Sequence, residues 1–392
     1  MIEQLTAEKR IYLDHNATTP VHPRVLEAML PCLKENFGNA SSIHAEGRAA
    51  RAVIDRARAK VAALLGASAE EIYFTSGGSE SNNLALRGLV ELHEDRKGRI
   101  VTSAVEHDAV LKPAARLAGL GYEVLTLPVD SYGRVAPDDL RKCLAGGKAL
   151  LVSIIAANNE VGTLQPVEEL GRVCREFSVP FHVDAVQAVG RIGLDLKTLP
   201  VDLLSLSAHK IYGPKGTGVL YIRKGVRLAP QILGGSHERR LRAGTENTAG
   251  IAGLGVACEL ARAELEQRKD QQAGLRERLW TGLRNNLEGV HLNGHPVHRL
   301  SNTLNVSFEG VEGEALLLNL DLRGIACSSG SACASGSLEA SHVLTAMGVP
   351  PELAQASVRF SLGRDNTAEE IGRVIEDISR VVVRLRSMQF SH

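Results

Sequence analysis

"EIYFTSGGSESNNLALRGLVELHE", residues 71–94, changes its periodicity halfway along. Its first six residues carry β-branched and aromatic side chains and read as a strand, 71–76. The remainder, 77–94, spaces its apolar residues as a helix does, with Ser79 expected as the cap. Glycines at such a strand-to-helix turn let backbone N–H groups and the helix dipole converge on an anion, a phosphate for instance. Taken alone, "SGGSE" reads equally as an ordinary helix start, because serine caps helices everywhere.

The same unit recurs to either side. "RAVIDRARAKVAALLG" (51–66) is an amphipathic helix ended by glycine, and "RIVTSA", "YEVLTLP", "ALLVSII", "PFHVDAV", "VDLLSLS" and "GVLYIR" are further strands with helices between several of them. Seven strands alternating with helices predict an α/β domain built on a largely parallel sheet. "GTENTAGIAGLGVACELARAELEQRKD" (244–270) reads as one long helix. Beyond it the texture changes: "NTLNVSF" and "SVRFSLG" are strands separated by helices, a smaller α+β domain that the strand near Ile11 joins. The expected division is 16–262 for the large domain, with 1–15 and 263–392 forming the small one.

Composition narrows the function classes. Lys plus Arg equals Asp plus Glu at 45 each, so no net charge draws the chain to nucleic acid or an anionic membrane. The longest apolar run, "ALLVSIIAA" (149–157), is far short of the roughly 20 residues of a membrane helix. Charges occupy the start of the chain where a signal peptide needs apolar residues, so a cytoplasmic address is expected. Six cysteines without a CxxC pair argue against a zinc ribbon. Cys32, Cys143, Cys174 and Cys258 sit in apolar or helical contexts and read as small buried hydrophobes. Cys333 does not. It stands in "CSSGSACASGSLEA" (327–340), among serines, glycines and alanines, on what is expected to be an exposed, mobile loop.

Four segments carry chemistry. In "SLSAHKIYGPKGTGVLYI" (205–222), Lys210 follows a strand end among Ser207, His209 and glycines. Most lysines are solvated, but the carboxyl ends of strands are where α/β sheets bind ligands, and a desolvated amine there condenses with carbonyls. In "FHVDAVQAVG" (181–190), Asp184 ends a strand; it reads as a helix cap or, beside such a lysine, as the acidic partner of a pyridinium nitrogen. Gln187 then suits the phenolic oxygen of the same ring. His107 in "TSAVEHDAVL" (102–111) is equally a cap or a ring-stacking proton shuttle. Arg359 in "SVRFSLGR" (357–364) is either a solvent-facing strand residue or a bidentate clamp for a substrate carboxylate.

Eleven motifs in order, among them "YLDHNATTP", "TSGGSESNNLA", "NNEVGTLQP", "SAHKIYGPKGTG", "GGSHERRLRAGTEN" and "SSGSACASGSLEASHVL", make the chain resemble the cysteine desulfurases from about residue 11 to the end. These are fold type I pyridoxal 5'-phosphate enzymes among the class V aminotransferases. The resemblance implies a seven-stranded, mostly parallel sheet and a second α+β domain. It implies that Lys210 holds the cofactor covalently, that Asp184 and Gln187 hold its ring with His107 stacked above, and that Gly78, Ser79, Ser207, Ala208 and His209 line the phosphate side. Asn159 is implied beside cofactor and substrate, and Arg359 as the carboxylate clamp. Thr245 resembles the residue that reaches the partner subunit's phosphate, which implies a homodimer. Cys333 is implied as the nucleophile that takes sulfur from L-cysteine as a persulfide, leaving alanine. Sulfur then passes to an iron–sulfur scaffold or another acceptor, with Cys333 as a transient metal ligand. Ala334, Ala340 and Cys327 depart from the family pattern. Cys327, ending the apolar "RGIAC", reads as a bystander rather than a second relay. The chain ends soon after "VVVRLRSM", and this with "RAGTENTAGIAGLGVACELA" favours the nitrogen-fixation branch. Selenocysteine lyases and other class V aminotransferases share the cofactor and are the alternatives.

Overall fold

The computed structural model describes residues 10–93, 98–329 and 340–389. Seven strands form one sheet in the spatial order Ile72–Thr75, Gly218–Ile222, Leu203–Ser207, Phe181–Asp184, Ala149–Ile155, Arg99–Ser103, Glu123–Leu127. Only Gly218–Ile222 runs against its neighbours, so the carboxyl ends of the other strands share one rim. The sheet is covered on both faces by apolar clusters, one including Ile54, Val61 and Leu254, the other Leu86, Leu89 and Val110. This explains the composition of Ala149–Ile155, a strand buried from Leu150 onward with no polar face to alternate.

A second core lies beneath the three-stranded antiparallel sheet Ser357–Ser361, Thr303–Phe308, Val290–Asn293. Leu279 and Leu283 of the helix Leu265–Asn286 pack there with Ile371, Val374 and Ile378 of the helix Ala368–Gln389.

Three sequence expectations need correction. Ser79 does not cap its helix: Gly78–Val90 starts after Gly77, and Ser79 lies exposed in its first turn. The neighbouring strand passes so close to this turn that position 218 must be glycine: a Cβ on Gly218 would stand 2.5 Å from the Gly77 Cα. The stretch 244–270 is two helices, Thr248–Ala263 and Leu265–Asn286, divided at Glu264. There the Glu264 carboxylate accepts from Arg268 Nε at 2.8 Å, and the Arg268 guanidinium lies over the Tyr212 ring. Ile11–Tyr12 pairs in parallel with Ile325–Ala326, and Ile11 packs into the second core. Cys143 is only partly buried, whereas Cys32, Cys174 and Cys258 are buried as expected.

Candidate active site

The shared rim brings together what the sequence scatters. Past Thr75 come Gly78 and Ser79; past Ser103, His107; past Ile155, Asn159; past Asp184, Gln187; past Ser207, His209 and Lys210. All of them, with Ser207, Ile155 and Asp184, line one cavity of about 360 Å³, and Arg359 closes it from the second sheet.

Asp184 is almost wholly buried. One carboxylate oxygen accepts from Val186 N at 3.0 Å, the other from Asn82 Nδ2 at 2.7 Å. Burial raises its pKa against those hydrogen bonds and the pull of His107 and Lys210, so a cation entering the cavity would relieve its desolvation. The Lys210 ammonium donates to the backbone carbonyls of Asn16 (2.5 Å) and Ala17 (2.8 Å). His107 serves both of its readings. Its Nδ1 accepts from Ala109 N at 3.0 Å as a helix cap, and it lines the cavity. Burial pushes its pKa down, and because Nδ1 accepts, the proton of the neutral ring sits on Nε2. His209, paired with Thr18 Oγ1 at 3.1 Å, is pushed down to about 4 by burial and by Lys210.

Arg359 is no solvent-facing strand residue; it is 1% exposed. Its Nη2 donates to Asp14 Oδ1 at 2.7 Å and Nη1 to the Asn159 carbonyl at 3.1 Å, while its Nε has no partner among the described residues. Its backbone exchanges two hydrogen bonds with Ser328 (2.7 and 3.2 Å). The expected loop over 327–340 is therefore fastened at its start. Its end is fastened as well: Ser341 Oγ bonds Glu160 Oε2 at 2.5 Å, and His342 Nε2 lies 2.9 Å from the Glu106 carbonyl. Cys327 is pushed up to about 12 by burial and so resists forming the thiolate, in keeping with a bystander. Cys333, and with it the expected iron ligand, lies outside the described residues.

Two expected residues stand apart from the cavity. Ala208 is buried, its N–H bonded to the Thr217 carbonyl at 3.0 Å, and Thr245 is exposed. Three that the residue-by-residue reading did not single out belong to it: Asn16, Ala17 and Asn82. Ala17 acts through its carbonyl, which leaves no side-chain signature. Asn82 had a faint one, a polar residue on the apolar side of its helix. Among the described residues no group of three or more His, Cys, Asp and Glu could hold a metal, and no helix is long and apolar enough to cross a membrane.

The residues present fit pyridoxal 5'-phosphate on this geometry. An amine, a buried carboxylate without a cationic ion-pair partner among the described residues, and a helix start whose leading N–H groups lack intrahelical acceptors face one space. A Cβ on Gly78 would lie 2.6 Å from Val186 Cγ2, so glycine keeps that helix start open.

Comparison with known proteins agrees. The aminotransferase class-V profile matches residues 11–374. A cysteine desulfurase IscS of Methanosarcina thermophila is 52% identical over 98% of this chain and 94% of its own. One of Dictyoglomus turgidum is 49% identical over 97% and 96%. Among solved structures, a NifS-like protein superposes with a TM-score of 0.89 at 42% identity, covering 96% of this chain and all of that one. SspA in complex with cysteine gives 0.80 at 37%, covering 90% and 99%.

Proposed function

The chain belongs to the class-V aminotransferase family, among its pyridoxal phosphate-dependent cysteine desulfurases, and from that premise we propose how its residues divide the work. Lys210 anchors the cofactor aldehyde, Asp184 faces the ring nitrogen, Gln187 donates to the phenolic oxygen, and His107 lies against the ring. Gly78, Ser79, Ser207 and His209 take the phosphate, with Ala208 in their support. Bound there, pyridoxal phosphate supplies the electron sink that lets the α-proton of L-cysteine leave and its Cβ–S bond weaken.

Arg359 holds the substrate carboxylate. Its guanidinium is already oriented by Asp14 and the Asn159 carbonyl, so little freedom is lost on binding. The Lys210 amine, facing the same cavity, would serve as the base that takes the substrate's α-proton. Cys333 takes the sulfur as a persulfide, and L-alanine leaves. A thiol between two fastened ends, at Ser328 and Ser341, suits delivery first into the cavity and then to an acceptor. Residues 16–262 form the cofactor-holding unit by this reading, and 1–15 with 263–392 the unit bearing Arg359 and Cys333. The acceptor is an iron–sulfur scaffold, in nitrogen fixation by the family likeness noted above, with Cys333 a passing iron ligand; the enzyme is a cytoplasmic homodimer in which Thr245 reaches the partner's phosphate.

The observation that carries the assignment is one cavity faced by the Lys210 amine, the Asp184 carboxylate and the Arg359 guanidinium. Its test uses two variants. Cys333→Ala is expected to keep the yellow colour of bound cofactor and to form less than about a hundredth of the sulfide, the scale of losing a nucleophile. Lys210→Ala is expected to lose the visible band of the lysine-bound cofactor. Full sulfide release by the first, or an unchanged band in the second, would overturn the assignment.

A further inference from the structure

Arg191 is a guanidinium that the reaction as described leaves without a task. It borders a small second cavity that Lys210 also lines, together with His15, Tyr212 and Arg268. Among the described residues it forms no ion pair: its contacts are the Gln187 side-chain oxygen, the Gln187 carbonyl at 3.4 Å and the His15 carbonyl at 3.3 Å. The residue as a whole is only partly buried, but an uncompensated guanidinium is costly to withdraw from water, and desolvation pushes its pKa down to about 10.

The contact with Gln187 fixes a choice that the amide cannot make alone. Its oxygen accepts from Arg191 Nη1, and its nitrogen donates to the Asn16 carbonyl at 2.9 Å. In the flipped amide, NH2 would meet guanidinium N–H and oxygen would meet a carbonyl, both repulsive. The Asn16 carbonyl also accepts from the Lys210 amine at 2.5 Å, so guanidinium, amide and amine converge on one short stretch of backbone.

We propose that Arg191 is a positioning residue: it holds the Gln187 amide with its nitrogen toward the cofactor's phenolic oxygen and places an unneutralised positive charge beside the lysine–cofactor linkage. The inference rests on the assignment of Gln187 and Lys210 to the cofactor made above. Both effects favour loss of the linkage proton: a nearby cation opposes a second positive charge, and a donated hydrogen bond makes the phenolic oxygen a poorer proton partner.

The test is a spectrophotometric titration of the holoenzyme's visible band. In Arg191→Gln the midpoint is expected about one pH unit higher than in the wild type, the scale of one nearby charge. Arg191→Lys, which keeps the charge, is expected to recover most of the shift. The other titratable and charged groups facing this space, His15, His107, Asp184, His209, Tyr212, Arg268, Lys269, Arg359 and Asp365, are the same in both variants. An unmoved midpoint in a yellow Arg191→Gln protein overturns the inference alone, whereas a wild type that takes up no cofactor overturns the assignment beneath it. Neutron diffraction from wild-type holoenzyme crystals reads the amide without any variant. Nitrogen toward the phenolic oxygen upholds the inference, and oxygen toward it refutes it.

Discussion

Glu106, next in sequence to His107, is fully buried. One of its oxygens accepts from Ser103 Oγ at 2.5 Å and from Ile155 N at 2.9 Å; the other has no partner. Burial pushes its pKa up to about 8, against the pull of Ser103 and Ile155, with Asp184 adding to the rise. The native state therefore keeps a proton that the unfolded chain gives up near pH ~4.3. Rising pH then favours unfolding between the two values, at up to about 1.4 kcal/mol per unit. Glu106→Gln imitates the protonated carboxyl, and thermal unfolding followed from pH 5 to 8 should show this decline in the wild type and a flatter profile in the variant. Equal slopes would mean that Glu106 is ionised in the fold. Some residues declared themselves in the sequence and others did not, for a physical reason. Lys210 and Asp184 stand just past or at the ends of apolar strands, a local signal, whereas the burial of Arg359 depends on Asp14, 345 residues away in the chain.

Among the elements, the strands were legible because burial on both faces leaves an apolar run with no helical period, as in Ala149–Ile155. The break at Glu264 was not, since it depends on a ring from Tyr212, far off in sequence. Nor was the turn at 238–240, where Glu238, Arg239 and Arg240 all adopt positive φ (42°, 56° and 69°). Such backbone is strained for non-glycine residues and persists only if held. Arg58 holds it. Its two terminal nitrogens meet the Glu238 carboxylate at 2.8 and 2.7 Å, and that carboxylate also accepts from Phe74 N at 2.9 Å. Arg58→Ala would leave Glu238 buried without its cation, at a cost of about 3–5 kcal/mol. Denaturant unfolding measures this directly, and a loss below about 1 kcal/mol would show that the turn stands without the pair.

For the molecule as a whole, the turn at 238–240 leads on toward Thr245, exposed and outside the cavity of its own chain. Leu233, on the near side of the turn, is 80% exposed, and Phe37 and Ile43 are 76% and 90% exposed. Apolar side chains left in water to this extent suit a partner subunit. If Thr245 completes the partner's phosphate site, cofactor retention is a property of the dimer. Dilution of the holoenzyme below its dimer dissociation constant should then speed release of pyridoxal phosphate, followed as decay of the visible band. Release at one rate whatever the protein concentration would confine the site to a single chain.

The cavity also imposes an order of events on synthesis. Its wall includes Asn16 and Arg359, near opposite ends of the chain, with Asp14 bonded to Arg359 and Asn16 N to Ser361 Oγ. These groups cannot meet until translation has passed Ser361. The nascent protein can thus assemble its parallel sheet first, yet it has no complete vitamin-binding chamber until the strand Ser357–Ser361 has been translated.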